Sequence, residues 1–89
     1  MSDSYTLKFN DRALSSLKNI DKAIAQRILR KLEWLAANTT VIPHTALAGN
    51  WEGFYRLRVG DYRVIYRLHH DSLLIAVEVI GHRREIYTK

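Results

Sequence analysis

The spacing of hydrophobic positions changes along the chain, and each change of period predicts an element. Tyr5-Thr6-Leu7-Lys8-Phe9 alternates apolar with polar residues, the period of a strand with one face buried. Asn10 or Asp11 then offers a helix cap, and Arg12 to Lys18 reads as a short helix with Ala13, Leu14 and Leu17 on one stripe. Asp21 caps a longer segment, Lys22 to Ala37. There Ile24, Ile28, Leu32 and Leu35 recur at helical spacing while Lys22, Arg27, Arg30 and Lys31 lie off that stripe. The break at Asn19-Ile20 makes the two a helical hairpin.

The stretch from Asn38 to Gly53 carries no period and contains Pro43 and the turn signal Gly49-Asn50. It reads as irregular, with Leu47 and Trp51 as anchors to the core. Alternation returns on both sides of Gly60-Asp61, and glycine as the first of two turn residues predicts a type II′ hairpin. Leu73 to Ile80 is a nearly continuous apolar run rich in β-branched residues, as expected of a strand buried on both faces. The order β-α-α-β-β-β gives an α+β fold: an N-terminal strand, a helical hairpin, then a three- to four-stranded antiparallel sheet with the helices across one face.

A two-residue loop fixes the hairpin register. Val59 faces Tyr62, Arg58 faces Arg63, Leu57 faces Val64, Arg56 faces Ile65 and Tyr55 faces Tyr66. One face is then core, and the other carries Arg56, Arg58, Arg63 and Arg67. Like charges directly opposite each other destabilise a sheet by some fraction of about 1 kcal/mol. That makes the face a candidate anion site, with a solvated polar face as the plainer alternative.

Composition sharpens this. Eighty-nine residues make a single domain, 1–89, and fourteen Lys and Arg against nine Asp and Glu give a net charge of +5. Nucleic acid is therefore the first partner to consider. There is no cysteine, which excludes a disulfide framework and thiolate metal sites. No basic-then-apolar leader or membrane-length apolar run occurs, so a soluble, cytoplasmic protein with no membrane partner is expected.

Cleavage of RNA by its own 2′-hydroxyl needs a proton acceptor, a donor to the leaving 5′-oxygen, and positive charge around the phosphorane. Arg56, Arg58, Arg63 and Arg83 suit the last role, because guanidinium binds phosphate bidentately and stays charged. His82 and Tyr87 are the candidates for proton transfer, with Tyr87 also able to stack on a base. Arg67 and Arg84 are expected to add substrate contacts. A structural His82 and a Tyr87 ring packed under the sheet are the plainer readings of those two. No spacing of His or carboxylates suggests a metal, and no cofactor is called for.

Two linked motifs carry a resemblance: Gly60-Asp61-Tyr62-Arg63-Val64-Ile65-Tyr66, and one strand later Ile80-Gly81-His82-Arg83-Arg84-Glu85-Ile86-Tyr87. Together with the loop ending Leu47-Ala48-Gly49-Asn50-Trp51, they resemble the RelE branch of the RelE/ParE superfamily of type II toxins. The resemblance implies a metal-independent endoribonuclease that cuts messenger RNA in the ribosomal A site, leaving a 2′,3′-cyclic phosphate and inhibiting translation and growth. It assigns transition-state stabilisation to Arg63, action on the scissile phosphate or leaving group to Arg83, and stacking on the substrate nucleotide to Tyr87. Arg56 and Arg58 fall where such toxins commonly carry lysines, and arginine is a poor proton acceptor. The base is then His82, or the cationic cluster activates the 2′-hydroxyl without one. Implied partners are a neutralising acidic antitoxin, messenger RNA and 30S ribosomal RNA, with no direct DNA binding by the toxin alone. Two other readings stay open: a ParE-like toxin acting on DNA gyrase without nuclease activity, and a non-toxic basic nucleic-acid-binding module.

Overall fold

The computed structural model describes residues 4–86. Strand β1, Thr6–Phe9, leads into helix α1, Asp11–Asn19, whose Asn10 cap accepts the Ala13 N–H through Oδ1 at 2.8 Å. Helix α2 follows at Lys22–Ala37, with Asp21 Oδ2 accepting from the Ala23 N–H at 3.1 Å. Both caps satisfy amides that have no partner within their helices. The α2 stripe is buried at Ile28, Leu32 and Leu35, with Ile24 packed against them. On α1, Ala13 is buried and Leu17 packs on the core, while Leu14 is exposed.

Strands β2 (Thr45–Ala46), β3 (Tyr55–Val59), β4 (Tyr62–His69) and β5 (Leu74–His82) complete a five-stranded sheet in the order β1-β5-β4-β3-β2. The α+β class and the element order follow the sequence reading, and two features add to it. β1 pairs with β5 in parallel, from Thr6 opposite Leu74 to Phe9 opposite Val77, so the sheet is mixed. The segment read as irregular holds the short edge strand β2, paired with Tyr55 and Arg56, and a 3₁₀ turn at Gly49–Trp51.

The β3–β4 register is the one the two-residue loop dictates, from Val59 opposite Tyr62 to Tyr55 opposite Tyr66. Gly60 has φ +59°, and Asp61 does not share a positive φ, the backbone of a type II′ turn. Between β4 and β5 the pairing shifts by one: Tyr66 faces Val77, but Ile65 faces Val79, leaving Glu78 as a bulge. The extra residue resets which side chains point to which face, so Val77 and Ile80 both turn to the helices although they lie three apart.

The core therefore has two parts. The larger lies between sheet and helices, where Tyr66, Ile28, Leu32, Leu35, Ile75, Val64 and Val77 are fully buried. Each contributes roughly 1.5–3 kcal/mol of burial free energy if counted as an aliphatic side chain. The smaller lies on the opposite sheet face, where Ile65, Val79 and Ile86 are covered by Leu47, Trp51 and Phe54. Leu47 and Trp51 are thus anchors, but on the face away from the helices.

Candidate functional site

The hairpin turn gathers the arginines. Arg58 and Arg63 stand opposite each other on the face away from the helices, and Arg63 faces Gly81 on its other side. The Arg63 guanidinium folds back along the turn, its Nη1 donating to the carbonyls of Gly60 at 3.0 Å and Tyr62 at 2.9 Å. Its remaining N–H groups can bind a ligand with the side chain already fixed in place.

Arg83 reaches the same turn from β5. Its backbone N–H donates to the Asp61 carbonyl at 2.8 Å, and its Nε lies 3.5 Å from Asp61 Oδ1. Both side chains are exposed, so this pair orients Arg83 more than it stabilises the fold. Asp61, read from sequence only as a turn residue, is the carboxylate that positions Arg83. The signal for it was the place of Asp61 in the turn, where a carbonyl and a carboxylate emerge together.

Gly81 keeps the floor low. A Cβ there would stand 3.3 Å from Ile86 Cδ1, which leans over the glycine. Ile86 is buried, and the Ile86 and Glu85 N–H groups both donate to the His82 carbonyl, at 3.0 and 2.8 Å. This turn carries the C-terminal segment back over the arginine face. Tyr87 itself lies outside the described residues.

The other expected site residues are not gathered with Arg63. His82 pairs with Tyr62, so its ring lies on the helix side, 5.4 Å from the Tyr62 ring in a T-shaped contact. There it borders a cleft with Ser16, Asn19 and Asp21. Its Nδ1 accepts the Arg84 N–H at 3.1 Å, which leaves the proton of the neutral ring on Nε2. The Arg84 side chain is exposed in the turn after β5. Arg67 lies four residues beyond Arg63, about 13 Å along the strand, with its guanidinium over the Phe54 ring, 4.5 Å from the centroid. Arg56 is half-buried, and its Nε is buried with no hydrogen-bond partner. Among the described residues, no three His, Asp or Glu side chains cluster as a metal site.

Arg63 and Arg83 thus meet at the Gly60-Asp61 turn, with Arg58 opposite Arg63 in the ladder, Gly81 beside Arg63 and one carboxylate at Arg83. Such an arrangement binds a phosphodiester and stabilises added negative charge on it.

A family model described as the ParE toxin of type II toxin-antitoxin systems matches residues 7–87. An Escherichia coli protein described as RelE-like toxin is 34% identical over 80 residues, covering 89% of this chain and 83% of that protein. Among solved structures, the Mycobacterium tuberculosis toxin-antitoxin complex RelBE2 superposes with a TM-score of 0.80 at 21% identity, over 90% of this chain and 99% of the other. The isolated Escherichia coli RelE toxin gives 0.74 at 17% identity, over 89% and 84%. At these identities the two structures speak to the fold alone.

Proposed function

We propose, for a chain that belongs to the RelE/ParE superfamily of type II toxins and within it to the RelE branch, that it is an endoribonuclease cutting messenger RNA on the ribosome. The observation that carries this reading is the convergence of Arg63 and Arg83 on the Gly60-Asp61 turn, facing Arg58.

In the proposed reaction the 2′-oxygen of one nucleotide attacks the adjacent phosphorus. A P–O2′ bond forms, the P–O5′ bond breaks, and a 2′,3′-cyclic phosphate and a 5′-hydroxyl result. The 2′-hydroxyl gives its proton to solvent water and the 5′-oxygen takes one from solvent, so the step is proton-neutral overall. Arg58 and Arg63 stabilise the equatorial oxygens, Arg83 stands by the leaving oxygen, and Tyr87 supplies a stacking ring. With His82 on the other face, the 2′-hydroxyl is activated by the cationic surroundings and by alignment. Alignment imposed from outside, by the ribosome, then accounts for much of the rate. No metal or cofactor takes part.

A neutralising protein partner belongs to the same reading, since the Mycobacterium tuberculosis structure is a toxin-antitoxin complex and the +5 chain favours an acidic one. The proposed location is the cytoplasm, where translation occurs. A second reading, action on DNA gyrase, draws on the ParE description of the matching family model.

The test is induction in growing cells with primer extension on one well-translated messenger. Cuts at fixed codon positions, lost when translation of that message is blocked, are expected. Arg63→Ala and Arg83→Ala should each slow cutting by about 10²–10³-fold, the scale of losing one preorganised donor. Growth arrest with intact messengers, surviving both substitutions, would overturn the nuclease reading; broken DNA in those cells would point to gyrase.

A further inference from the structure

A second cationic feature lies on the sheet face away from the helices, beyond the cover of Leu47, Trp51 and Phe54 and remote from the hairpin turn. Leu7 and Phe9 pack on the helix-side core, and Ile75 and Val77 are buried in it, so Lys8 and Ala76 turn to the other face. The register sets Ala76 between Lys8 on β1 and Arg67 on β4. The two cations thus flank a small residue across two strand spacings, roughly 9.6 Å. Among the described residues, neither shares an ion pair with a carboxylate.

Arg67 is held in place by aromatic rings. Its guanidinium lies over the Phe54 ring, 4.5 Å from the centroid, and the Trp51 ring meets Phe54 edge-on at 5.4 Å. One guanidinium plane is used in this way, and the other is open to solvent, since Arg67 is exposed. On the β1 side of Ala76 is a recess of about 270 Å³ lined by Lys8, Asn10, Leu74, Ala76 and Glu78 among others. Glu78 is the bulge residue of β5, and a bulge re-aims its side chain. Its Oε1 accepts from Asn10 Nδ2 at 3.0 Å, which orients the carboxylate and leaves most of its acceptor capacity unused. A stacking plane, an ammonium donor and a carboxylate acceptor therefore border one small floor.

From these observations we infer that the surface around Ala76 binds an unpaired guanine of an RNA strand. The pairing edge of guanine carries an acceptor, O6, beside the donors N1–H and N2–H₂. Lys8 donates to O6, the Glu78 carboxylate accepts from N1–H and N2–H₂, and the open plane of Arg67 stacks against the base. The other bases fit less well. Adenine and cytosine set a ring-nitrogen acceptor beside their amine, where it meets a carboxylate oxygen like to like, and uracil flanks its N–H with carbonyls on both sides. A carboxylate from a protein partner would meet Glu78 as a like charge. Along β4 the site lies about 13 Å from Arg63, so the base it takes is not the one beside the bond proposed to be cut. Messenger and ribosomal RNA both offer unpaired guanine. The effect of this site on cleavage rests on the nuclease reading, whereas the binding does not.

The first test is binding to the isolated protein of labelled 2′-O-methyl oligouridylates, which have no 2′-hydroxyl to attack with, carrying a central guanine, adenine, cytosine or uracil. The guanine strand should bind at least several-fold tighter than the others and shift the Lys8 and Ala76 amides in NMR spectra. Glu78→Ala should erase that preference while tightening the other strands, because a negative charge leaves a cationic face. Arg67→Lys keeps the charge and loses the plane, so it should weaken the guanine strand several-fold. The ratio of affinities does not change with the folded fraction, so a destabilised variant still reports. Equal binding of all the strands to the parent protein would mean a phosphate contact only and would overturn the inference. So would a guanine preference that survives Glu78→Ala, or guanine binding unchanged by Arg67→Lys. The second test is primer extension with Glu78→Ala. A changed choice of cut positions assigns the guanine to the messenger, a proportional fall at every position assigns it to ribosomal RNA, and cutting identical to the parent's removes the site from the reaction. Guanine preference in the first test, with no cutting by the parent in the second, would sink the nuclease reading and leave the guanine site standing.

Discussion

Arg58 and Arg63 face each other across the β3–β4 ladder, and among the described residues no carboxylate forms an ion pair with either. The pair costs folding free energy and is retained where a phosphate is proposed to bind. Arg58→Thr should therefore separate stability from activity. Threonine suits a strand and removes one of the two charges, so urea denaturation at low salt should show a gain of some tenths to about 1 kcal/mol. The gain should shrink in 1 M salt, where screening acts within about 3 Å, while messenger cleavage falls. A variant less stable than the parent at low salt would show that the face is not electrostatically strained.

Gly81 makes the next prediction, because its missing side chain lets Ile86 close over the floor of the site. At 3.3 Å from Ile86 Cδ1 an added methyl requires the neighbour to move by a few tenths of an ångström. Gly81→Ala should cost no more than about 1–3 kcal/mol, the usual range of overpacking. Its effect on cleavage should be out of proportion, since Arg83 and the segment leading to Tyr87 leave the strand here. Cleavage retained in step with the folded fraction would rule out this positioning role.

His82 points away from Arg63, and its Nδ1 is occupied by the Arg84 N–H. His82→Gln keeps an acceptor for that N–H and removes the imidazole. Cleavage on translating ribosomes should change by no more than about threefold, against the 10²–10⁴-fold that a general acid or base contributes. The pH dependence should also stay the same. A large loss with a displaced pH profile would restore His82 as the proton acceptor.

The place of His82 shows where the sequence stops being legible. The β3–β4 register could be read because Gly60 and Asp61 fix the loop length, and the loop length fixes every opposing pair. The α2 boundaries could be read because Asp21 caps a clean apolar stripe. The bulge at Glu78 could not, because Leu73 to Ile80 is apolar on both faces and one extra residue leaves no trace in its period. That residue sends His82 to the helix side while Arg63 faces Gly81. The direction of β1 was equally silent, since alternation is the same for parallel and antiparallel neighbours. β2 has only two residues, too few to show a period. The smaller core was hidden because Ile65 sits among the arginines, and its cover of Leu47, Trp51 and Phe54 comes from a segment without periodicity.

Tyr66 and His44 link the core to the segment between α2 and β2. The His44 Nε2–H donates to the Thr39 carbonyl at 2.8 Å, so Nδ1 is the acceptor and the Tyr66 hydroxyl donates to it at 2.6 Å. Burial, helped by the neighbouring Tyr55, raises the Tyr66 phenol well above its ordinary value. A raised folded value means that the native state holds the proton more tightly than the unfolded chain. Stability from this group is therefore complete below about pH 10, the ordinary tyrosine value, and declines as pH rises from there towards the folded value. Tyr66→Phe should lower stability at neutral pH by about 1–3 kcal/mol, the cost of leaving His44 Nδ1 without its donor. It should also flatten the alkaline decline relative to the parent protein, measured by urea denaturation at stepped pH. Parallel stability curves above pH 10 would remove Tyr66 as the titrating group.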